Sequence, residues 1–204
     1  MILDVAGLRE RLRRQAPQAF AVQGDDRIGG EPADIRPASV LVPIVAHAAG
    51  LTLLFTQRTA HLKAHAGQVS FPGGRAEPGD ATPEVTALRE SREEIGLAPE
   101  RVEILARLPD YITRTGYRVT PVVGLLEPPL ELMPDPREVE EVFEVPLAFL
   151  LDPRNHRRQT RELNGHTVGF YEMQYQDGHT IWGATAGMVI NLYRQLSGDA
   201  PPGG

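Results

Sequence analysis

Arg89-Glu90-Ser91-Arg92-Glu93-Glu94 gathers three carboxylates into five positions of a stretch that reads as helix. With Glu90 at zero on a wheel of about 100° per residue, Glu94 falls about 40° to one side and Glu93 about 60° to the other. Val85, Leu88 and Ile95 fall opposite, so the helix is expected to carry an apolar face and a compact acidic patch. Like charges one turn apart cost only about 0.2–0.5 kcal/mol, so a solvated acidic face accounts for the pattern taken alone. The flanking residues add chemistry. Hard divalent cations such as Mg²⁺ take several oxygen ligands; Glu90 and Glu94 can chelate one, and Glu93 can support a second. Upstream, Phe71-Pro72-Gly73-Gly74 offers a tight backbone whose carbonyls and amides can approach a ligand closely. Glycine loop, helix and carboxylates together read as a site for a cation bound to a pyrophosphate.

The elements that would position this site can be read around it. Thr82-Pro83-Glu84 supplies a capping oxygen, a proline suited to the first helical position and an acid at the positive helix end. Gly96 stops the helix. Asp4 to Gln15 spaces Val5, Leu8 and Leu12 as an amphipathic helix. Residues 23–37 are turn-rich and read as a linker or loop. Ala38–Ala46 and Leu51–Thr56 read as a hairpin with a buried face. Residues 57–81 read as mostly irregular. Strands follow near 101–107, 117–126 and 139–145, then a short helix over Pro146–Leu151. Asn164-Gly165 and Asp177-Gly178 signal hairpin turns within a β excursion over 159–182. A final helix spans Gly183–Leu196, and SGDAPPGG reads as a frayed tail. Interleaved helices and hairpins predict an α/β fold with a mixed sheet rather than a doubly wound parallel one.

Composition sets outer limits. A chain of 204 residues, 41% hydrophobic and 24% charged, suits one domain with appendages. No apolar run reaches the roughly 18 residues that cross a membrane, and the first residues lack the order of a signal peptide, so no membrane partner and a cytoplasmic location are expected. The net charge of −6 argues against broad nucleic-acid binding, while leaving room for an anionic substrate at a local basic patch. Cysteine is absent, which excludes a disulfide framework, a thiol nucleophile and cysteine metal sites.

The stretch around the glutamates resembles the Nudix box: a glycine, then a helix carrying Arg-Glu, an apolar residue, Glu-Glu, Gly and an apolar residue. Gly74, Arg89-Glu90, Glu93-Glu94, Gly96 and Leu97 match it. Ser91 stands at the usual apolar position, the spacing from Gly74 to Arg89 is one residue longer, and Asp80 replaces an expected Glu. The longer box and the run from Leu53 to Gly74 resemble the coenzyme A pyrophosphatase subfamily, with Arg58, Lys63, Gly67 and Phe71-Pro72-Gly73-Gly74 in place. Thr59 and Lys63 replace a usual Ser and Arg, and Phe55-Thr56 is shifted against the usual Leu-Leu-Thr. Segments near 115–123, 138–147 and 181–186 extend the resemblance over about 38–196. It implies a Nudix-type α/β/α sandwich with a mixed β-sheet, an N-terminal helix and linker over 1–37, the hydrolase domain over 38–196 with a C-terminal hairpin and helix, and a tail over 197–204.

The implied activity is hydrolysis of coenzyme A, or a derivative, to 3′,5′-ADP and 4′-phosphopantetheine with Mg²⁺ or Mn²⁺, in a monomer or homodimer. Glu90 and Glu94 are then the principal metal ligands, with Glu93 and the Gly74 carbonyl as further ones. One of the three, Glu90 by preference, is instead the candidate to take a proton from water. Arg89 orients the acids through charge-assisted bonds. Arg58 and Lys63 take substrate anions beside the Gly73-Gly74 backbone. His61 and His65, Arg114 and Arg118, and Glu138, Glu140 and Glu141 are read mainly as loop or surface groups, one of the acids being able to enter the site. Trp182 and Tyr175 read as core aromatics that could alternatively stack on adenine. Competing expectations are a Nudix enzyme for ADP-ribose, dinucleotides or oxidised nucleotides, and a catalytically silent binding module. An isopentenyl-diphosphate isomerase is excluded by the missing cysteine.

Overall fold

Strand β1 (Arg36–His47) alternates its burial between two cores and so fixes where the layers lie. The computed structural model describes residues 3–14, 34–61, 67–163 and 165–198. The turn-rich 23–37 segment up to residue 33, Asn164, and the tail from 199 lie outside them. Strand β2 (Gly50–Arg58) returns antiparallel from β1 in the register His47↔Gly50, as the hairpin reading expects. On β1's other side runs β7 (Tyr117–Leu126), parallel, with Arg36↔Tyr117 through Val45↔Leu126. β5 (Glu103–Arg107) and β6 (Tyr111–Ile112) pair antiparallel with β7. β8 (Val139–Pro146) and β3 (Val69–Ser70) pair with β2, and β4 (Gly73–Arg75) pairs with β1. The sheet is therefore mixed, as expected.

Helices cover both faces. Leu41 and Val45 of β1, Leu54 of β2, and Val122 and Leu126 of β7 pack with Ala87 and Ile95 of α2 (Pro83–Ile95). The alternate residues Val42, Ile44, Leu53, Phe55, Val123 and Leu125 pack with Leu8 and Leu12 of α1 (Val5–Arg13) and with Val189, Leu192 and Leu196 of the last helix. This period-two division of apolar residues builds the α/β/α sandwich. Asp4 caps α1 by accepting from the Gly7 N–H at 2.8 Å. After the short α3 (Leu147–Leu150), β9 (Arg157–Leu163), β10 (His166–Gln174) and β11 (Thr180–Trp182) form a separate three-stranded sheet that leads directly into α4 (Gly183–Ser197).

Two short strands depart from the sequence reading. Gly73–Arg75 is strand, pairing as Ser39↔Gly74 and Val40↔Gly73, although two glycines predict a loop. β6 was not anticipated, because two residues carry no periodicity. Asp177-Gly178 does lie in the hairpin connection between β10 and β11, as read, in a 3₁₀ turn over Gln176–Gly178 closed by Tyr175 N–H donating to His179 O at 2.9 Å.

Candidate active site

Local sequence sets the ends of α2, and tertiary contacts set its rotation. Thr82 Oγ1 accepts from Val85 N–H at 3.4 Å, Pro83 opens the helix, and Gly96 closes it in the left-handed region at φ 69°. The chain that returns past this end takes up the orphan carbonyls: Met133 N–H donates to Ile95 O at 2.9 Å and Asp135 N–H to Glu94 O at 2.8 Å. That segment runs on to Glu138 and β8.

The rotation of α2 differs from the wheel. Its buried residues are Thr86, Ala87, Ser91, Glu94 and Ile95, whereas Val85 is 43% exposed. Val85 and Leu88 instead line an open hollow of about 540 Å³ on the outer side, with Arg89 and Glu93 at its edge. Ser91 is satisfied within the buried face, its Oγ donating to Ala87 O at 2.7 Å. Glu94 is 5% exposed and lies on the side that meets the sheet.

Two glycines bring the backbone up to the acids there. Gly73, at φ 152°, donates its N–H to Glu94 Oε2 at 3.0 Å; a Cβ on it would lie 2.4 Å from Ser39 O. A Cβ on Gly74 would lie 2.5 Å from Glu90 Oε2. The missing side chain of Gly74 thus leaves room for Glu90, while that of Gly73 lets the strand lie close on Ser39 and Val40 with its N–H turned to Glu94.

Two arginines face this cluster. Arg89 is fully engaged. Its Nε and Nη2 donate to Asp80 at 3.2 and 2.9 Å, its Nη1 to Glu90 and Glu93 at 2.8 and 3.1 Å, and its Nη2 also to Arg75 O at 3.0 Å. Asp80 is its anchor, and it also accepts from Glu77 N–H and Thr86 Oγ1. The bond from Arg89, followed by that from Glu77 N–H, lowers the Asp80 carboxyl to about 2. Arg58, the last residue of β2, approaches from the opposite side: Nη1 is 3.4 Å from Glu94 Oε1 and Nη2 is 3.9 Å from Glu138 Oε2. Its Nε is buried with no hydrogen-bond partner among the described residues.

Burial is the main influence on the two inner acids. It raises Glu90 above the usual carboxylate range against the pull of Arg89. It raises Glu94 to about 7, opposed by the Gly73 N–H and Arg58 and reinforced by Glu138 and Glu90. Glu93 differs, its side chain being 59% exposed. The set is all oxygen, which fits a hard divalent cation. Yet among the described residues no three His, Asp or Glu side chains converge closely enough to hold a metal ion as they stand.

Glu90, Glu93, Glu94, Arg89, Gly73, Gly74 and Arg58 therefore come together, while Lys63 and His65 lie outside the described residues. Glu138 joins them through Arg58, and Asp80 joins through Arg89. The contact of β2 with the start of β8 (Arg58↔Val139) was the missing signal for Glu138. Glu141 bonds instead to His179. Tyr175 packs edge-on against Phe149 at the margin of the core, whereas Trp182 is half-buried, edge-on to Phe170 and beneath Arg161, outside both cores.

A NUDIX domain profile matches residues 35–163. The uncharacterized Nudix hydrolase NudL of Photorhabdus laumondii is 44% identical over 163 residues, covering 79% of this chain and 85% of that protein. The NudL of Escherichia coli K12 is 41% identical over 172 residues, covering 83% and 88%. In fold, a MutT/nudix family protein from Enterococcus faecalis superposes with a TM-score of 0.50 at 18% identity, over 98% of this chain and 76% of that one. The chain belongs to the Nudix family of hydrolases, enzymes acting on phosphoric anhydrides.

Proposed function

We propose that the protein is a divalent-cation-dependent coenzyme A pyrophosphatase that adds water across the diphosphate of coenzyme A, giving 3′,5′-ADP and 4′-phosphopantetheine. The observation that carries this reading is the placement of Glu90 and Glu94 against the Gly73-Gly74 strand, with Arg58 of the upstream signature reaching Glu94. The coenzyme A assignment itself draws on the resemblance of residues 53–74 to that subfamily.

Glu90 and Glu94 would hold Mg²⁺ or Mn²⁺, with Glu93 and the Gly74 carbonyl as further ligands. When bound, the cation neutralises diphosphate charge and makes a water more acidic. The chain's own groups do the rest. Arg89, clamped by Asp80, fixes the Glu90 carboxylate and steadies the exposed Glu93. Glu90, half-buried and raised in pKa, is the group we assign to receive the water's proton. Gly73 spends its N–H on Glu94 in this arrangement, so its contribution to substrate is close approach of the backbone. Arg58 and Lys63 are assigned to substrate phosphate oxygens.

Mass spectrometry of products from coenzyme A, acyl-coenzyme A and ADP-ribose, each with Mg²⁺ and with Mn²⁺, tests the assignment. It predicts 3′,5′-ADP with phosphopantetheine or its acylated form. Cleavage of ADP-ribose with coenzyme A left intact would replace it with the neighbouring Nudix activity, and no cleavage or cation binding would favour a silent module.

A further inference from the structure

We infer that Arg58 is a removable counter-ion: its guanidinium holds Glu94 in the cation-free protein, releases it when a divalent cation binds, and is thereby made available to substrate phosphate. The inference rests on Glu94 being a cation ligand, as proposed above.

The two arginines of the site are built differently. Arg89 makes five hydrogen bonds at 2.8 to 3.2 Å and has no spare partner to seek. Arg58 has contacts at 3.4 and 3.9 Å, longer than the 2.7–2.9 Å or so of a strong charge-assisted bond. Its Nε–H is buried and unpaired among the described residues. A buried donor without an acceptor is costly, and it marks a place where an acceptor is still to arrive. A guanidinium that has not settled on its carboxylates can leave them cheaply.

The backbone of Arg58 is held more closely than its guanidinium. Its N–H donates to Gln68 O at 3.0 Å and its carbonyl accepts from Gly67 N–H at 3.1 Å, so both strands leading to the intervening loop are pinned at this residue. The side chain is 24% exposed. Both acids it touches belong to the carboxylate cluster, and in this arrangement those acids do not converge on a common point. A cation and the Arg58 guanidinium would compete for the same Glu94 oxygens, since two positive charges a few ångströms apart repel. Cation binding and presentation of Arg58 to a diphosphate thereby become one event.

The test is Mg²⁺ titration of the full chain by calorimetry at pH 8.5 without substrate, on wild type, Arg58→Gln, Arg58→Lys and Glu94→Gln. Losing the competing charge should tighten Mg²⁺ binding by about threefold to tenfold in Arg58→Gln. Arg58→Lys, which keeps the charge, should stay within about twofold of wild type. Arg58→Gln should also raise the KM for coenzyme A more than it lowers kcat, a split that a merely structural residue would not produce. Unchanged or weaker Mg²⁺ binding in Arg58→Gln, with binding lost in Glu94→Gln, overturns the inference and leaves the role of Glu94 standing. Wild-type binding in Glu94→Gln overturns both. Should Arg58→Gln not fold, the wild-type Arg58 Nε–Hε NMR resonance, assigned by its absence from Arg58→Lys, decides. It moves on saturation with Mg²⁺ if the guanidinium changes partners, and an unmoved resonance overturns the inference.

Discussion

Glu94 carries a charge where the fold offers little water to solvate it. Its folded pKa of about 7 lies above the 4.5 of an ordinary glutamate, so the fold favours the protonated acid. That contribution is complete below about pH 4.5 and is lost as pH rises through 7; by pH 8 its loss amounts to about 3 kcal/mol. In chelator, wild type should therefore melt lower at pH 8 than at pH 5.5, and Glu94→Gln should lack much of this difference. Added Mg²⁺ should raise the wild-type melting temperature at pH 8 and leave that of Glu94→Gln unchanged. Glu90→Gln and Glu94→Gln should each lose turnover by roughly 100-fold or more while remaining folded by circular dichroism. Gly74→Ala forces a methyl group against the Glu90 carboxylate. It should cost about 1–3 kcal/mol in urea unfolding and most of the activity.

At the scale of elements, α2 shows what local sequence decides and what it leaves open. Its ends were legible because Thr82, Pro83 and Gly96 act on backbone within a few residues. Its facing was not, because a wheel places glutamate outward and valine inward. Here Gly74 leaves space for Glu90 and Gly73 supplies a donor to Glu94, which turns in while Val85 turns out. The acids of α2 were legible as candidates from their types and spacing; which of Glu138, Glu140 and Glu141 approaches the site was not, since only the pairing of β2 with β8 brings Glu138 to Arg58. β4 and β6 escape sequence reading because elements of two or three residues show no period. Asp80, which the sequence left without a clear task, anchors the helix through Arg89 to the loop before it. Asp80→Asn should loosen Arg89 and lower kcat by about 10–100-fold with little change in KM. Because the folded Asp80 pKa of about 2 lies below its ordinary 3.8, its stabilisation is present above about pH 4 and lost as pH falls towards 2. Acid unfolding of Asp80→Asn should therefore depend less steeply on pH across that window.

Across the whole molecule, the sandwich separates chemistry from support. The α2 face of the sheet carries the acids, and the other face is closed by α1 and α4. α1 is tied in by Leu8 and Leu12 in that core and by Arg11 Nη1 donating to Leu196 O at 2.6 Å. We propose that this N-terminal helix serves the hydrolase domain as a cover. Leu8→Ala should cost about 2–5 kcal/mol in urea unfolding yet leave kcat per folded molecule unchanged. Among the described residues no helix is long and apolar enough to cross a membrane. The central claim is that Glu90 and Glu94, seated against glycine backbone, exist to hold a divalent cation. Anomalous diffraction from crystals soaked in Mn²⁺ addresses it directly. The account predicts a manganese peak within bonding distance of Glu90 and Glu94; a well-ordered crystal with no peak there, or with manganese only at remote surface acids, would contradict it.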